Sequence, residues 1–453
     1  MRVFFLSIAV ALSVGCHGSE DFQCQQAAAC NLSGAGVCVD HWCAYPDPTC
    51  PSGYRYSSQD VGDGLAATCV PGSGSDGGID IDASFPDAAQ GDLIANGQAA
   101  DVVLGQVTFA TADVNHGGIS AKSLNHPCGL AARGNGGIWV FDRGNARVLG
   151  WTDLSTNFSA ADLVVGATDF ITATGGHTAA TLSADGNSNL PSQIASTAGS
   201  LLVADSLNTR VLLFSPQPAA NGAAAALALG QSSTSTIIAS GGGADEVNLP
   251  SGIWTDGTRV AVADKYNNRV LIWNTFPTTN MAPADVVLGQ ASFGPAGYPV
   301  PPTASSMHFP ACVYSDGTRF YVCDKNNNRV LVWNSFPSAN GQAADIVLGQ
   351  AGLASSSSGN GPAELAEPGS VAVAGNNLIV ADSMNHRVLV YSPIPSTSGA
   401  PAKLVLGQSN LSSNTAGTSQ NALNQPQQVL LVDQKLYVAD YGNNRVLAYG
   451  VNY

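Results

Sequence analysis

A short charged motif that recurs six times along the chain constrains the fold more than any other feature of the sequence. In its clearest copy, Asp264 is followed by Asn three positions later and by Arg five positions later, and in all six copies the Arg precedes Val-Leu. Successive Arg residues are 63, 59, 60, 58 and 58 positions apart. Such a period marks a chain of repeated units, each of which buries its apolar face against its neighbours. The six sets are Asp142/Asn145/Arg147, Asp205/Asn208/Arg210, Asp264/Asn267/Arg269, Asp324/Asn327/Arg329, Asp382/Asn385/Arg387 and Asp440/Asn443/Arg445.

The motif has the properties of a tight hairpin. Apolar runs of strand length flank it on both sides. Only four residues separate Asp264 from Arg269, and Asn tolerates the left-handed backbone that so short a loop requires. The two charged side chains then lie opposite one another, where a charge-assisted hydrogen bond fixes the strand register. We therefore interpret the six Asp and Arg pairs as structural hairpin latches, not as six active sites.

Each unit contains two further strand patterns. One begins at a Pro, such as Pro250, and ends at a turn dipeptide, Asp256-Gly257. The other follows the Arg strand and ends in Gly-Gln, as in residues 284–290. Both runs are apolar on both faces, which suits a small sheet packed between two similar sheets. The sequence thus predicts an all-β fold, a six-bladed β-propeller with four-stranded blades.

The combination of Pro-x-Gly-Ile in residues 250–253 with Val-Ala-Asp-x-x-Asn-Asn-Arg-Val in residues 262–270 resembles the NHL repeat. The resemblance extends over residues 95–453 and implies a six-bladed propeller. Propellers of this family include RNA-binding, protein-binding and catalytic members, so the resemblance does not choose a function. The repeat is longer here than is usual in the family, and the excess lies between the fourth strand and the next Pro.

The two ends of the repeat region complement each other. Residues 95–106 closely resemble residues 339–350, a segment that ends in a fourth strand, whereas the last unit stops after its third strand. We therefore expect residues 101–106 to pair with residues 445–449 and to supply the outer strand of blade six. This pairing would close the ring and remove its open sheet edges.

The first residues resemble an export signal. Residues 1–15 contain Arg2 and then an apolar run that is too short to span a bilayer as a permanent helix. The sequence Ser13-Val14-Gly15-Cys16 resembles a bacterial lipobox, although Ser13 departs from the Leu that this motif prefers. The resemblance implies lipidation of Cys16 and an outer-membrane or cell-surface lipoprotein. The alternative is ordinary cleavage, which would give a periplasmic or secreted protein with Cys16 free or disulfide-bonded.

Residues 16–70 form a predicted Cys-rich module and residues 71–93 a flexible acidic linker. Six cysteines fall within 46 residues, a density typical of a disulfide-stapled module in an oxidising compartment. Zinc is a weaker interpretation because no Cys-x-x-Cys pair is present, and the linker lacks the ligand spacing and closing Glu of a calcium loop. The disulfide candidates here are Cys24, Cys30, Cys38, Cys43, Cys50 and Cys69, and their connectivity cannot be read from the sequence.

Residues 94–453 are predicted to form the propeller, and they contain three more cysteines. Cys312 and Cys323 lie on adjacent predicted strands, where they form either a cross-strand disulfide or two buried thiols. Cys128 is expected to pack as a small apolar residue near the channel.

Charge restricts the class of partner. Residues 16–93 carry eleven acidic residues and one Arg, and residues 94–453 carry 21 acidic and 15 basic residues, so the two parts have net charges of −10 and −6. Six of those 15 basic residues are the latch arginines. Too few cations remain for the basic stripe that phosphate backbones require, so we expect no nucleic acid partner.

The predicted ligand surface is the face that carries the long connections between blades. Residues 107–125 and 409–424, for example, are rich in Ser, Thr, Gly and Asn. Long loops on a rigid scaffold commonly carry binding sites, here for a protein or a glycan. The alternative is that they only fill space between blades.

The channel mouth is the second candidate site. His126 and Glu367 stand directly before the Pro of an inner strand, and His308 stands one position earlier, as does Asn125. The related lyases and lactonases hold metal ligands in this region, and His126, His308 and Glu367 would have to converge to do the same. The alternative is that they are hydrogen-bonding loop residues.

These observations lead to two hypotheses. The first is an exported, lipid-anchored and noncatalytic binding or scaffold module at the cell envelope, monomeric, without cofactor or metal, and in contact with the membrane only through its anchor. The second is a propeller enzyme, a metal-assisted lyase or lactonase that acts at the channel mouth.

Overall fold

The computed structural model describes residues 93–183, 192–238, 241–294 and 297–452, together with the backbone of three short strands nearer the N-terminus. The chain divides into two compact units, residues 1–89 and residues 90–453. No helix in the described part of the chain is long and apolar enough to cross a membrane.

The described part of the first unit is an antiparallel three-stranded sheet, in which Cys38 lies opposite Cys43. The predicted export signal and residues 71–92 of the predicted acidic linker fall outside the described residues, whereas Leu93, the last residue of that linker, is buried. Outside the described residues also lie Cys16, Cys24, Cys30, Cys50, Cys69 and the side chains of Cys38 and Cys43. The strands are Val37–Val39, Trp42–Pro46 and Tyr54–Tyr56.

The second unit contains six antiparallel four-stranded sheets, which confirms the predicted six-bladed propeller. We name the strands of each blade A to D from the axis outward, because the A strands contact one another in sequence around the ring, with blade six touching blade one. The A strands are Pro127–Gly134, Ile194–Thr197, Pro250–Thr255, Pro310–Ser315, Pro368–Ala374 and Pro426–Val432. The B strands are Gly137–Asp142, Ser200–Asp205, Val260–Asp264, Phe320–Asp324, Asn377–Asp382 and Lys435–Asp440.

A single 3-10 turn joins strand B to strand C in every blade. Each turn is followed by a residue with left-handed backbone, such as Asn268 with φ 53°. The turns are Arg143–Asn145, Ser206–Asn208, Lys265–Asn267, Lys325–Asn327, Ser383–Asn385 and Tyr441–Asn443. The C strands are Arg147–Trp151, Arg210–Phe214, Arg269–Trp273, Arg329–Trp333, Arg387–Tyr391 and Arg445–Gly450. The D strands are Leu163–Val165, Leu227–Leu229, Val286–Leu288, Ile346–Leu348, Leu404–Leu406 and Val102–Leu104.

The apolar core lies between neighbouring blades and not within one blade. One cluster, for example, packs Leu271 of blade three against Leu202 of blade two, and another packs Ile272 of blade three against Leu331 of blade four. Strands B and C are buried on both faces, as their sequences predict. Burial of this apolar surface is the main stabilising contribution to the ring.

The latch is a buried hydrogen-bonded group of four residues. In blade three the register places Asp264 opposite Arg269, whose Nε donates to Oδ2 of Asp264 at 2.6 Å. Asn267 Nδ2 donates to the same oxygen at 2.9 Å, and the backbone N–H of Asn248 donates to Oδ1 at 2.6 Å. The same three bonds to the Asp recur in all six blades, and the Asp and Arg side chains are fully buried in each.

The terminal nitrogens of each latch Arg hold the long connections. Nη2 of Arg269 donates to the carbonyl oxygens of Gly243 at 2.8 Å and Glu246 at 3.0 Å, in the connection that enters the blade. In blade five, Arg387 donates to the entering connection at Gly361 and to the departing connection at Leu411. The connections are therefore ordered by the latch, which makes them part of the scaffold.

The chain closes the ring as the sequence predicts. Val103 lies opposite Leu447, and Val102 and Leu104 pair with the residues on either side of it. The backbone N–H of Asp101 donates to the carbonyl of Ala448 at 2.8 Å. The outer strand of blade six thus comes from the beginning of the propeller region.

Cys312 and Cys323 lie opposite one another on strands A and B of blade four and form a disulfide, as one of the two sequence interpretations predicted. Cys128 is buried, and its thiol donates a hydrogen bond to the carbonyl of Ser192 at 2.9 Å.

The latch predicts a large difference between two Asp-to-Asn substitutions. Asp264→Asn keeps the shape of the side chain but leaves a fully buried guanidinium without its counter-charge, which costs about 3–5 kcal/mol. Asp162→Asn removes the charge from a more exposed pair with Arg133 and should cost about 1 kcal/mol or less. Thermal and denaturant unfolding of both variants would test this, and similar losses of stability in the two would contradict it.

Ring closure predicts a specific cross-link. Val103 and Leu447 lie directly opposite, and the Val103 N–H bonds the side chain of Asn157 and not Leu447, so the pair occupies a closely spaced position. The double variant V103C/L447C should therefore form a disulfide under mild oxidation, detected by peptide mapping. In the matched control V103C/L389C the second Cys occupies the equivalent position of blade five, and no disulfide should form. Oxidation of the control to the same extent as V103C/L447C would contradict the predicted ring closure.

Candidate binding site at the channel mouth

The connections between strands D and A and the turns between strands B and C lie at the same end of the ring, because strands alternate in direction within each blade. We call this end the loop face. Its described connections are residues 105–126, 166–183, 230–238, 241–249, 289–294, 297–309, 349–367 and 407–425.

The residue before the Pro of strand A has left-handed backbone at the five mouth positions that are described, with φ between 49° and 54°. At four of these five positions the backbone N–H donates to a side chain of the preceding blade. The N–H of His126 donates to Asn444 Oδ1 at 2.9 Å, and that of Glu367 donates to Asn328 Oδ1 at 3.0 Å. These bonds fix the position of the residue at the rim of the channel. The five residues are His126, Leu249, Phe309, Glu367 and Gln425.

The four residues that the sequence singled out at the mouth have separate partners. His126 Nδ1 lies 2.7 Å from the side-chain oxygen of Asn125, and the His126 ring lies 4.6 Å from that of Tyr441. His308 stacks on Tyr298, with ring centroids 3.5 Å apart. Glu367 Oε2 lies 3.4 Å from Lys325 Nζ. Among the described residues no three His, Cys, Asp or Glu side chains come together, so His126, His308 and Glu367 do not assemble a metal site there.

A set of residues that the sequence interpretation did not single out surrounds the axis at this mouth. Each directly follows a latch Asp and begins the 3-10 turn, and none is more than 8% exposed. Two variable positions separate the constant Asp and Asn of the motif, and the first of these carries a cation or a hydroxyl in all six blades. This pattern is the signal that could have revealed the set. We call this set the mouth ring; it consists of Arg143, Ser206, Lys265, Lys325, Ser383 and Tyr441.

One side chain crosses the channel near the mouth ring. Gln193 of blade two reaches across the axis, and its Nε2 donates to the carbonyl of Gly369 in blade five at 2.9 Å. A Cβ on Gly369 would lie 2.6 Å from the hydroxyl of Ser383 and from the backbone oxygen of Gln427, so only Gly fits here. We call the space at the mouth around this bond the cup; a cavity of about 280 Å³, which Gln193 also lines, lies between the A strands.

Three residues of the mouth ring, Arg143, Lys265 and Lys325, have cationic side chains. Burial, with the neighbouring cations Lys325 and Arg143, lowers the pKa of Lys265 to about 7, while Glu367 opposes this shift. Burial also lowers the pKa of Lys325, again opposed by the carboxylate of Glu367. Arg143, Lys265 and Lys325 belong to blades one, three and four, and the charge of Arg143 contributes to the lowered pKa of both lysines. Burial and the charge of Arg143 also lower the pKa of His126, which Asp142 partly offsets.

A row of aromatic rings extends from the cup onto the loop face. Lys265 Nζ lies 5.9 Å from the centroid of Phe309, and Phe309 stacks on Tyr266 at 4.9 Å. On the other side Phe309 lies 4.9 Å from His308, which stacks on Tyr298. Tyr266 and Tyr298 are 44% and 45% exposed. We call these four rings the aromatic row.

The exposed apolar side chains are confined to the loop face. Among the described residues, ten large hydrophobic side chains are exposed, and every one belongs to a D–A connection or a B–C turn. The opposite face, formed by the A–B turns and the C–D connections, has none in the described part of the chain. The ten are Val107, Val114, Ile171, Leu207, Ile237, Ile238, Tyr266, Tyr298, Val300 and Met384.

Comparison with solved structures gives distant similarities. The chain is similar to the WD40 β-propeller domain of Doa1, at 10% identity over 79% of this chain and 94% of that one, with a TM-score of 0.41. It is similar to a putative 6-phosphogluconolactonase from Bacteroides uniformis, at 12% identity over 73% and 83% of the two chains and a TM-score of 0.41. It is also similar to a streptogramin B lyase, at 9% identity over 72% and 94% and a TM-score of 0.38. At these values the similarities carry no argument about function.

No curated protein matches the chain. The family model of the NHL repeat matches residues 365–391, which contain strands A, B and C of blade five with the latch of Asp382 and Arg387. The same latch and four-stranded sheet recur in every blade. Residues 365–391 therefore form an NHL repeat, and the six blades that share its latch form a six-bladed β-propeller.

Proposed function

We propose that this protein is a noncatalytic binding module, exported and lipid-anchored at the cell envelope, whose loop face engages a protein or glycan ligand. The observation that carries the proposal is the restriction of all ten exposed large hydrophobic side chains of the described residues to that face. Exposed apolar residues that are scattered over a surface need no explanation, whereas residues concentrated on one face indicate an interaction surface.

The scaffold beneath the loop face supports the same interpretation. The latch arginines hold the connections through hydrogen bonds to backbone carbonyl oxygens, so the exposed side chains project from an ordered base. A surface that is ordered before binding loses less conformational entropy when the ligand binds. The polar residues of the connections would then surround the apolar contacts, as in other interfaces.

The enzymatic alternative finds no comparable support in the described residues. A metal-assisted lyase or lactonase needs about three protein ligands around one point. His126, His308 and Glu367 instead contact Asn125, Tyr298 and Lys325, respectively.

The loop face predicts that apolar substitutions there abolish binding without unfolding. We expect the triple variant I171S/V300S/M384S to lose the ligands that the full-length protein retains on an array of oligosaccharides and purified secreted proteins. These side chains are 72%, 84% and 42% exposed, so the melting temperature should change little.

The matched control carries three polar substitutions on the exposed turns of the opposite face: Thr258→Ser, Asn376→Ser and Gln434→Ser. It should bind as the unchanged protein does. The proposal fails if both triple variants bind equally well, or if the unchanged protein retains no member of the array.

Export and anchoring predict that Cys16 determines where the protein is found. Metabolic labelling with a radioactive fatty acid should mark the unchanged protein, and Cys16→Ser should abolish the label and move the protein from the membrane to the soluble fraction. Cys128→Ser serves as the control because Cys128 lies within the propeller. An unlabelled protein that is nevertheless exported would indicate ordinary cleavage and remove the anchor from the proposal.

A further inference from the structure

The cavity of about 280 Å³ between the A strands, which we call the channel cavity, is large for the interior of a protein. Counted from the Pro position of each blade, its walls consist of the third to sixth residues. It therefore lies towards the A–B turns and not at the mouth. An apolar cavity of about 150 Å³ in another protein holds benzene, and pockets for drug-sized ligands begin at about 300 Å³. The channel cavity thus has the size for a small organic molecule.

The walls of the channel cavity carry no charge. None of the described residues that line it is Asp, Glu, Lys, Arg or His. An ion that entered would lose its hydration and find no counter-charge, so the cavity suits an uncharged molecule. Each blade contributes one branched apolar side chain to the wall, and these six are Leu130, Ile194, Ile253, Val313, Val371 and Val429.

The hydroxyl and amide side chains of the wall are already engaged within the protein. Gln193 donates to the carbonyl of Gly369, for example, and Gln428 accepts from the backbone N–H of Leu130 at 2.7 Å. The apolar side chains are therefore the main surface that remains for a ligand. The wall residues with such bonds are Gln193, Ser196, Thr255, Ser315, Ser370 and Gln428.

One position of the repeat leaves the space for this cavity. The fifth residue, counted from the Pro position, is Trp254, Tyr314 or Leu430 in blades three, four and six. Blades one, two and five instead carry Ala at this position, at residues 131, 195 and 372. All six residues line the cavity. Since the fold accepts large side chains at this position, it does not require the three Ala residues, and a further role for the space is reasonable.

The channel cavity can be reached from the face opposite the loop face. A second cavity, of about 450 Å³, is lined by residues of the A–B turns of blades four and five and shares Tyr314 and Val373 with the first. The two cavities are therefore adjacent. In the second one Arg319 lies 3.7 Å from Asp316, so these two charged side chains are paired with each other.

We propose that the channel cavity binds a small, uncharged and largely apolar molecule, of about the size of two fused rings, which enters from the face opposite the loop face. The inference goes beyond the proposed function, because the ligand lies between the A strands and not on the loop face.

Three probes of similar shape and different charge test this inference. In calorimetric titrations of the full-length protein at pH 7, 1-naphthol, which is uncharged, should bind. The anion 1-naphthoate and the cation 1-naphthylmethylammonium should both bind at least about ten-fold more weakly, because the wall cannot replace their hydration. Equal binding of the three probes would overturn the inference, and so would the failure of 1-naphthol to bind.

Filling the cavity should exclude the probe. Ala195→Leu gives blade two the residue that blade six carries at the same position, Leu430, and should weaken 1-naphthol binding about ten-fold or more because the side chain occupies the space. Its melting temperature should stay the same or rise, since the added side chain gains contacts. Ala372→Leu makes the same test in blade five if A195L does not fold.

The matched control Ala339→Leu adds the same side chain at an exposed position of a C–D connection, and it should bind 1-naphthol as the unchanged protein does. A folded A195L or A372L variant that also binds as the unchanged protein does would contradict the inference.

A further variant separates this inference from the proposed function. The loop-face variant I171S/V300S/M384S should bind 1-naphthol normally, because these three residues do not line the channel cavity. Loss of binding in this variant would place the probe on the loop face and overturn the inference, while the proposed binding module would stand. Failure of the array with intact 1-naphthol binding would have the reverse meaning.

Discussion

The buried pair of Asp and Arg is the interaction on which the rest of the structure depends. A buried ion pair by itself contributes little stability, because removing two charges from water costs as much as their attraction returns. Here that cost is offset by a full set of bonds, since the Asp accepts from Asn and from a backbone N–H, and the Arg donates to several carbonyl oxygens. The pair therefore fixes geometry: it sets the register of a hairpin and the course of the adjoining connections.

This arrangement explains why the fold could be predicted from the sequence. The bond between Asp264 and Arg269 joins residues only five positions apart, so its pattern is visible locally and its repetition reveals the number of blades. The closing strand was predictable for a similar reason, because residues 95–106 retain the sequence of a segment that ends in a D strand. The disulfide was left as one of two alternatives, since two facing cysteines do not reveal their oxidation state.

The channel mouth was much harder to predict. Arg143, Lys265 and Lys325 occupy the same position in blades one, three and four, and the closed ring places this position of every blade at one mouth. No spacing in the sequence encodes that arrangement. The positions just before the Pro of the A strands predicted His126, His308 and Glu367 as mouth residues. Of these three, only Glu367 forms an ion pair with a mouth-ring residue. The residue after each latch Asp can be identified by comparing the six repeats. Its location at the mouth, however, depends on the direction in which the 3-10 turn carries its side chain.

Whether the long connections are ordered could also not be predicted from the sequence. Their composition of Ser, Thr, Gly and Asn is equally compatible with loose filler and with an ordered surface. In the structure the latch arginines donate hydrogen bonds to backbone carbonyl oxygens of the connections, so the connections are ordered. Every residue type has a backbone carbonyl, and the residue types of the connections therefore do not reveal these bonds. Low sequence complexity in this protein therefore coexists with defined structure.

The closure of blade six has a consequence for biogenesis. Val102–Leu104 emerges from the ribosome before any other propeller strand, yet its partner Arg445–Gly450 is the last to be made. The first five blades can pair their own strands as they emerge, whereas the sixth is completed only after Arg445–Gly450 has been made. Until then Val102–Leu104 lacks its partner strand and the ring stays open, so the incomplete chain is exposed to aggregation and to chaperone binding.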